Sequence, residues 1–279
     1  MQTTIVTTAE LAAHPEWRVF DCRNDLGHPE RGPELYGQGH IPGAVHAHLE
    51  HHLSGAKTGT NGRHPLPDPR HFAAWLGAQG LKADDQVVAY DSAGTSYAAR
   101  LWWLLGWIGH PAVAVLDGGW DKWLRDGRPV TTQVPAFEPA VFDTRPDDSL
   151  WVDSTFVAKA LGAGRSVVID ARAEARYSGD EEPLDPVAGH IPGARNRPYT
   201  ANLDSQGLFK SPELLRGELL AMLEPASSTV VSQCGSGVTA CHNILAMRIA
   251  GLEPAKLYPG SWSEWCSDPA RPITKGTAP

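Results

Sequence analysis

The stretch Cys234-Gly-Ser-Gly-Val-Thr239 places a nucleophile beside two glycines and two hydroxyls within six positions. A glycine-containing turn lets successive backbone N–H groups point inward and form a concavity that holds an anion. If the turn feeds a helix, the positive N-terminal end of that helix adds to the same field. Both effects favour a thiolate over a thiol, and a thiolate so held is a nucleophile and a carrier of sulfur. Most free cysteines are simply small buried hydrophobes. Cys22, at the end of an apolar run, and Cys241, inside a helical pattern, read that way, and nothing around Cys266 suggests chemistry. None of the four shows the paired spacing of a metal site.

The elements around Cys234 follow from an internal repeat. Val19-Phe-Asp-Cys-Arg23 is echoed by Val168-Ile-Asp-Ala-Arg172, and Gly39-His-Ile-Pro-Gly-Ala44 by Gly189-His-Ile-Pro-Gly-Ala194. Val87-Val-Ala-Tyr-Asp91 then matches Val230-Val-Ser-Gln-Cys234, and Gly118-Gly-Trp-Asp-Lys-Trp123 matches Gly260-Ser-Trp-Ser-Glu-Trp265. The order is the same in both halves, and a period of roughly 145 residues is domain-sized, not solenoid-sized. The duplication predicts an N-terminal domain over 1–128, a polar, proline-dotted linker over 129–148 and a C-terminal domain over 149–279.

Short β-branched runs at Arg18–Asp21, Gln86–Tyr90, Val113–Leu116, Ser166–Asp170, Thr229–Ser232 and Lys256–Tyr258 read as buried parallel strands. Helical patterns at Arg70–Gln79, Ser96–Ile108, Pro212–Met222 and Val238–Ala250 lie between them. That alternation predicts, in each half, an α/β fold with an open, mainly parallel sheet and helices on both faces. Ligands of such sheets bind beyond the carboxyl ends of the strands, which is where Cys234 falls.

Two copies of D-x-R, G-H-I-P-G-A and a closing G-x-W, with a cysteine loop in the second copy, resemble the tandem-domain rhodanese family over essentially the whole chain. The resemblance implies two rhodanese-like domains and a sulfurtransferase that carries sulfur as a persulfide on Cys234. It also implies a catalytically silent N-terminal domain, since Asp91-Ser-Ala-Gly94 stands at the position of the first loop. Thiosulfate-type members of the family resemble C-R-K-G-V-T, whereas Cys-Gly-Ser-Gly-Val-Thr resembles the mercaptopyruvate type. Thiosulfate is a dianion and gains from two adjacent cations; 3-mercaptopyruvate carries one carboxylate, which suits a neutral loop.

The resemblance further implies site residues. Arg176, in Ala175-Arg-Tyr177, stands where the family binds its donor, and Gly235, Gly237, Val238 and Thr239 shape the loop that holds the substrate sulfur. Ser236 is expected to assist proton transfer together with a histidine, matched to His40, whose acidic partner is not evident from the sequence. His190, its twin beside a different loop, is expected to be structural. Relatives often carry a second arginine shortly after the first, but Glu181-Glu-Pro-Leu-Asp185 has none. The implied reaction is ping-pong, from a small-molecule sulfur donor to a thiol, cyanide or thioredoxin-like acceptor, with no cofactor and no metal.

Other signals narrow the alternatives. A net charge of −8 argues against a general nucleic-acid or membrane partner. The 16-residue apolar stretch Leu101–Leu116 is interrupted by Gly106, Gly109, His110 and Pro111, and reads as a buried helix and strand, not a span. The N-terminus lacks a basic patch before an apolar core, so a cytoplasmic location with free thiols is expected. His46-Ala-His-Leu-Glu-His-His52 fits no zinc signature and reads as a solvated patch. A Cys-x5-Arg phosphatase is excluded because the residue six after Cys234 is Ala240. Thiosulfate:cyanide sulfurtransfer and a non-catalytic binding module remain the alternative readings.

Overall fold

The computed structural model describes residues 1–92, 94–163, 166–223 and 229–279. Its strands are β1 (Ile5–Val6), β2 (Arg18–Asp21), β3 (Ala44–His46), β4 (Val87–Tyr90) and β5 (Val113–Leu116), then β6 (Ser166–Asp170), β7 (Arg195–Asn196), β8 (Thr229–Gln233) and β9 (Lys256–Leu257). They form two sheets, ordered β1-β5-β4-β2-β3 and β7-β6-β8-β9, and every pairing is parallel. A parallel bridge from Trp151 to Leu257 stands in the second sheet where β1 pairs β5 in the first. Helices connect and flank the strands. Val-Val-Ala-Tyr of β4 and Val-Ala-Val-Leu of β5 are buried at every position, as expected for strands covered on both faces. The long apolar stretch becomes the buried helix Ser96–Trp107 followed by β5, and no helix among the described residues is long and apolar enough to cross a membrane.

The chain divides into two compact units. The first comprises Met1–Gly55, Leu66–Asp147 and Gln206–Leu208, and the second Ala56–Pro65, Asp148–Ser205 and Phe209–Pro279. The ten residues Ala56–Pro65 thus belong with the C-terminal half, although the sequence places them well inside the N-terminal one. The segment expected as a linker over 129–148 runs along the first unit. Thr131 exchanges backbone bonds with His40, Ala140 N–H donates to Gly77, and Arg145 and Asp147 donate to Ile108 and Trp107.

The repeated motifs are the joints of each unit. In the first, Arg23 grips the Asp21 carboxylate at 2.6–3.0 Å and donates to Gly39 O at 2.6 Å, with its guanidinium 4.3 Å from the Trp120 ring. In the second, Arg172 grips Asp170 at 2.6–3.1 Å and donates to Gly189 O at 2.9 Å, and it lies 4.9 Å from the Trp262 ring. The Ile and Ala of the two Gly-His-Ile-Pro-Gly-Ala copies, Ile41 and Ala44, Ile191 and Ala194, enter the cores beside Val19 and Val88 or Val168 and Val231. D-x-R therefore ties its strand to the Gly-His turn, and the G-x-W tryptophan covers the ion pair.

The histidine-rich segment of the first unit is not a solvated patch. His52 stacks on Trp75 at 4.3 Å between centroids, and His48 lies edge-on to both His46 and His52. His52 Nδ1 accepts the His48 N–H at 3.0 Å, and His48 Nδ1 accepts the Glu50 N–H at 3.1 Å. Both acceptor roles need the neutral ring. Burial lowers the His46, His48 and His52 pKa values, His52 to about 4.

A histidine pKa depressed on folding adds stability that is present above about 6.5 and lost as pH falls toward about 4. The melting temperature is accordingly expected to drop across that window, and His52→Asn, whose Oδ1 still accepts the His48 N–H, should flatten the drop. Thermal unfolding of both proteins from pH 7.5 to 4.5 checks it; parallel curves would contradict it. Removing one partner of a buried ion pair costs about 3–5 kcal/mol. Arg23→Met should therefore destabilise the first unit by that order in urea unfolding.

Candidate active site

β8 ends at Gln233, and the chain turns at Cys234 into a loop that becomes helix only at Ala240. Cys234 is 2% exposed. Its sulfur accepts the N–H groups of Ser236 at 3.4 Å and Gly237 at 3.1 Å, which is the inward-facing concavity expected of this loop. Gly237 has φ +77°, and a β-carbon there would collide with the Pro259 carbonyl oxygen. Val238 and Thr239 carry the entry to the helix, their carbonyls accepting from Cys241 and His242. The loop is pinned from the other side by the G-x-W turn. The Cys234 N–H donates to Ser261 Oγ at 3.1 Å, and the Trp262 and Ser263 N–H groups donate to the Cys234 and Gly235 carbonyls, both at 3.0 Å. Ser261 holds φ +54°, a left-handed conformation unusual for a residue with a side chain.

The twin loop shows what the concavity selects. Asp91 follows β4 as Cys234 follows β8, and its carboxylate accepts the N–H groups of Thr95, Tyr97 and Ala98 at 2.7–2.9 Å. Its carbonyl accepts from Trp120, as that of Cys234 does from Trp262. Ala93 of that loop lies outside the described residues. The same turn thus holds a carboxylate in one unit and a sulfur in the other.

Ser236 Oγ and His64 Nδ1 share a hydrogen bond of 2.7 Å, and both residues are at most 3% exposed. His64 is not among the residues the sequence pointed to. The expected one, His40, has other work. Its Nδ1 lies 2.9 Å from the Tyr36 carbonyl oxygen and its Nε2 3.1 Å from that of Gln133, with the ring stacked on Tyr36 at 3.9 Å. His190 repeats this in the second unit, with Nδ1 2.9 Å from Tyr177 O and the ring stacked at 3.8 Å. His40 thus makes the same turn-pinning contacts as His190, and the histidine within hydrogen-bond distance of Ser236 is His64, not His40.

Arg176 reaches the loop. A β-carbon on Gly235 would lie 3.3 Å from Arg176 Nη1, and 2.9 Å from Nη2 of a second arginine, Arg63. Gly235 has no left-handed φ, so its missing side chain serves space. The acids of the Glu181–Asp185 stretch hold these guanidiniums. Glu182 accepts from Arg176 Nε and Nη2 at 2.6–3.3 Å, and Asp185 accepts from Arg176 Nη2 at 3.2 Å and from Arg63 Nη1. Neither Arg63 nor His64 has a duplicate in the repeat. The sequence signal was the adjacent Arg63-His64 pair in the Gly- and Thr-containing loop 56–65.

The other cysteines face different surroundings. Burial, with Asp91 and Asp21 nearby, raises the Cys22 thiol well above its ordinary range, and burial with Asp185 pushes Cys266 up to about 11. Cys241 donates to Gly237 O at 3.4 Å from the helix core. Trp262 is fully buried, with Nε1 donating to Val187 O at 2.9 Å, and so forms the floor beneath Arg172, not the rim of a pocket.

The Rhodanese-like domain model matches residues 7–126 and 154–268. A probable 3-mercaptopyruvate sulfurtransferase of Pseudomonas aeruginosa is 45% identical over 98% of both chains. A thiosulfate sulfurtransferase of Cricetulus griseus is 38% identical over 90% of this chain and 85% of its own. Among solved structures, that of SseA, a 3-mercaptopyruvate sulfotransferase from Escherichia coli, superposes with a TM-score of 0.82 at 31% identity, covering 94% of this chain and 99% of the other. With the Cys234 loop, the paired D-x-R locks and the duplicated parallel sheets in view, the chain belongs to the rhodanese family as a two-domain member.

Proposed function

We propose that this protein transfers sulfur from 3-mercaptopyruvate to a thiol acceptor through a persulfide on Cys234. The observation that carries this reading is the Cys234 sulfur seated on the Ser236 and Gly237 N–H groups beside the Ser236–His64 hydrogen bond. In the first half-reaction the Cys234 thiolate attacks the donor sulfur. An S–S bond forms, the C–S bond breaks, and its electron pair leaves on carbon as the enolate of pyruvate. Ser236 Oγ delivers a proton to that carbon, His64 restores the proton to Ser236, and the donor S–H proton, lost as the persulfide ionises, returns to His64. The loop N–H groups hold the persulfide anion as they hold the thiolate. In the second half-reaction an acceptor thiolate attacks the outer sulfur, and the S–S electron pair returns to Cys234.

The donor assignment rests on a loop whose Gly235-Ser236-Gly237 carries no cation, with Arg176 beside it for a carboxylate. Its similarity to the Pseudomonas aeruginosa relative supports the same choice. Thiosulfate is the second donor to test, because a relative named for it is 38% identical. The acceptor we favour is a thiol of the thioredoxin class, and the four unpaired cysteines suit a reducing cytoplasm.

With cyanide as acceptor, thiocyanate release should be faster per unit concentration from 3-mercaptopyruvate than from thiosulfate, and Cys234→Ser should abolish both. Full activity in Cys234→Ser contradicts the mechanism, and a higher kcat/KM for thiosulfate overturns the donor alone. Positioned acid–base groups contribute on the order of a hundredfold or more. Ser236→Ala and His64→Gln should each lower kcat with 3-mercaptopyruvate by that order, whereas His40→Gln should leave kcat per folded molecule close to wild type. A His40 effect equal to that of His64 would contradict the assignment.

A further inference from the structure

We propose that Arg63 is a second anchor for the donor carboxylate, its Nη2 and Arg176 Nη1 forming a two-pronged anion site over Gly235. This rests on the reading of Cys234 as the sulfur acceptor and names what holds the other end of the donor. Three observations converge on it. First, Arg63 Nη2 is buried and has no hydrogen-bond partner among the described residues. Leaving a buried charged donor unsatisfied is costly, so its partner is expected to come from a ligand. Second, the nitrogens that do have partners turn the remaining ones toward the loop. Asp185 takes Arg63 Nη1 with one oxygen and Arg176 Nη2 with the other, and Glu182 takes Arg176 Nε and Nη2. Among the described residues no hydrogen bond occupies Arg176 Nη1, and it is this atom and Arg63 Nη2 that lie 3.3 and 2.9 Å from the β-position of Gly235. Third, the loop that brings Arg63 is fixed. Gly62, at φ +85°, packs against the Gly260 backbone, and the Arg63 N–H donates to Ser263 Oγ at 3.0 Å.

The charge pattern defines the ligand class. Two guanidiniums are matched by two carboxylates, Glu182 and Asp185, so the cluster offers directed N–H donors with little net charge. A monoanion with two coplanar oxygens can accept one N–H from each arginine. The side chains of Arg63 and Arg176 are 26% and 17% exposed, so the cluster borders solvent although Arg63 Nη2 itself is covered.

Alkylation of Cys234 tests this without relying on sulfur transfer. Iodoacetate carries a carboxylate beside its reactive carbon and iodoacetamide is its neutral counterpart. Rates at Cys234 are read by peptide mass spectrometry in the intact wild-type and Arg63→Met proteins. The expected result is a roughly tenfold or greater slowing of iodoacetate in Arg63→Met, with iodoacetamide within about twofold of wild type. In parallel the KM for 3-mercaptopyruvate should rise while kcat changes little. Equal slowing of both reagents would show that Arg63 only shapes the loop, and unchanged rates with both would show that it touches no anion; either overturns the proposal. Wild-type protein that shows the iodoacetate preference but forms no thiocyanate from 3-mercaptopyruvate would instead overturn the donor reading.

Discussion

A parallel strand that ends and turns at once into a helix leaves several backbone N–H groups pointing into one small space, and buried N–H groups must find an acceptor. In the first unit the acceptor is the Asp91 carboxylate, which takes those of Thr95, Tyr97 and Ala98. In the second the acceptor is the sulfur of Cys234, which takes two. The fold therefore builds the same anion seat twice, and the occupant decides whether it is a structural cap or a nucleophile. A carboxylate saturates the seat and ends the chemistry. A sulfur accepts over longer distances and can form and release an S–S bond.

The rest of the molecule positions that seat or keeps other chemistry away from it. In both copies the D-x-R lock ties its strand to the Gly-His turn and the G-x-W turn bonds the loop itself, and so they carry geometry, not reaction. Burial and local charge set Cys22 and Cys266 apart from Cys234. Cys22 lies near Asp21 and Asp91, and Cys266 near Asp185, both held in the thiol form. Cys234 instead meets N–H groups, with the guanidiniums of Arg63 and Arg176 over the next residue. The arginines are tempered by Glu182 and Asp185, so the mouth of the site directs an anion without becoming a strongly cationic patch.

Much of the fold was legible because its signals are periodic or duplicated. The six expected strands are all present within one residue of their predicted ends, and the buried helix at Ser96–Trp107 begins where the sequence suggested. β1, β3 and β7 were not visible, since two or three residues are too few to show a period. The helix Arg31–Gln38 contains Gly32, Pro33 and Gly37, which local propensity disfavours and packing overrides. The helix after Cys234 starts two residues later than expected because the loop needs Val238 and Thr239 for its turn. Repeat matching finds what both halves share, and in this site the shared parts are structural. Cys234, Ser236 and Arg176 lay in or near recognisable motifs. His64 and Arg63 have no twin and reach the second unit from a loop in the N-terminal half of the sequence, so only the fold brings them to the cysteine. His40 was matched through the family resemblance, whereas the repetition of its motif points to a joint.

The account stands or falls on where the sulfur goes. The direct measurement is intact and peptide mass spectrometry of the protein after brief exposure to 3-mercaptopyruvate without acceptor, with pyruvate assayed in the same sample. The account predicts the mass of one added sulfur atom on the peptide containing Cys234 and an equal amount of pyruvate, both absent in Cys234→Ser. Sulfur found on Cys22, Cys241 or Cys266, or pyruvate released with no sulfur on Cys234, would contradict it.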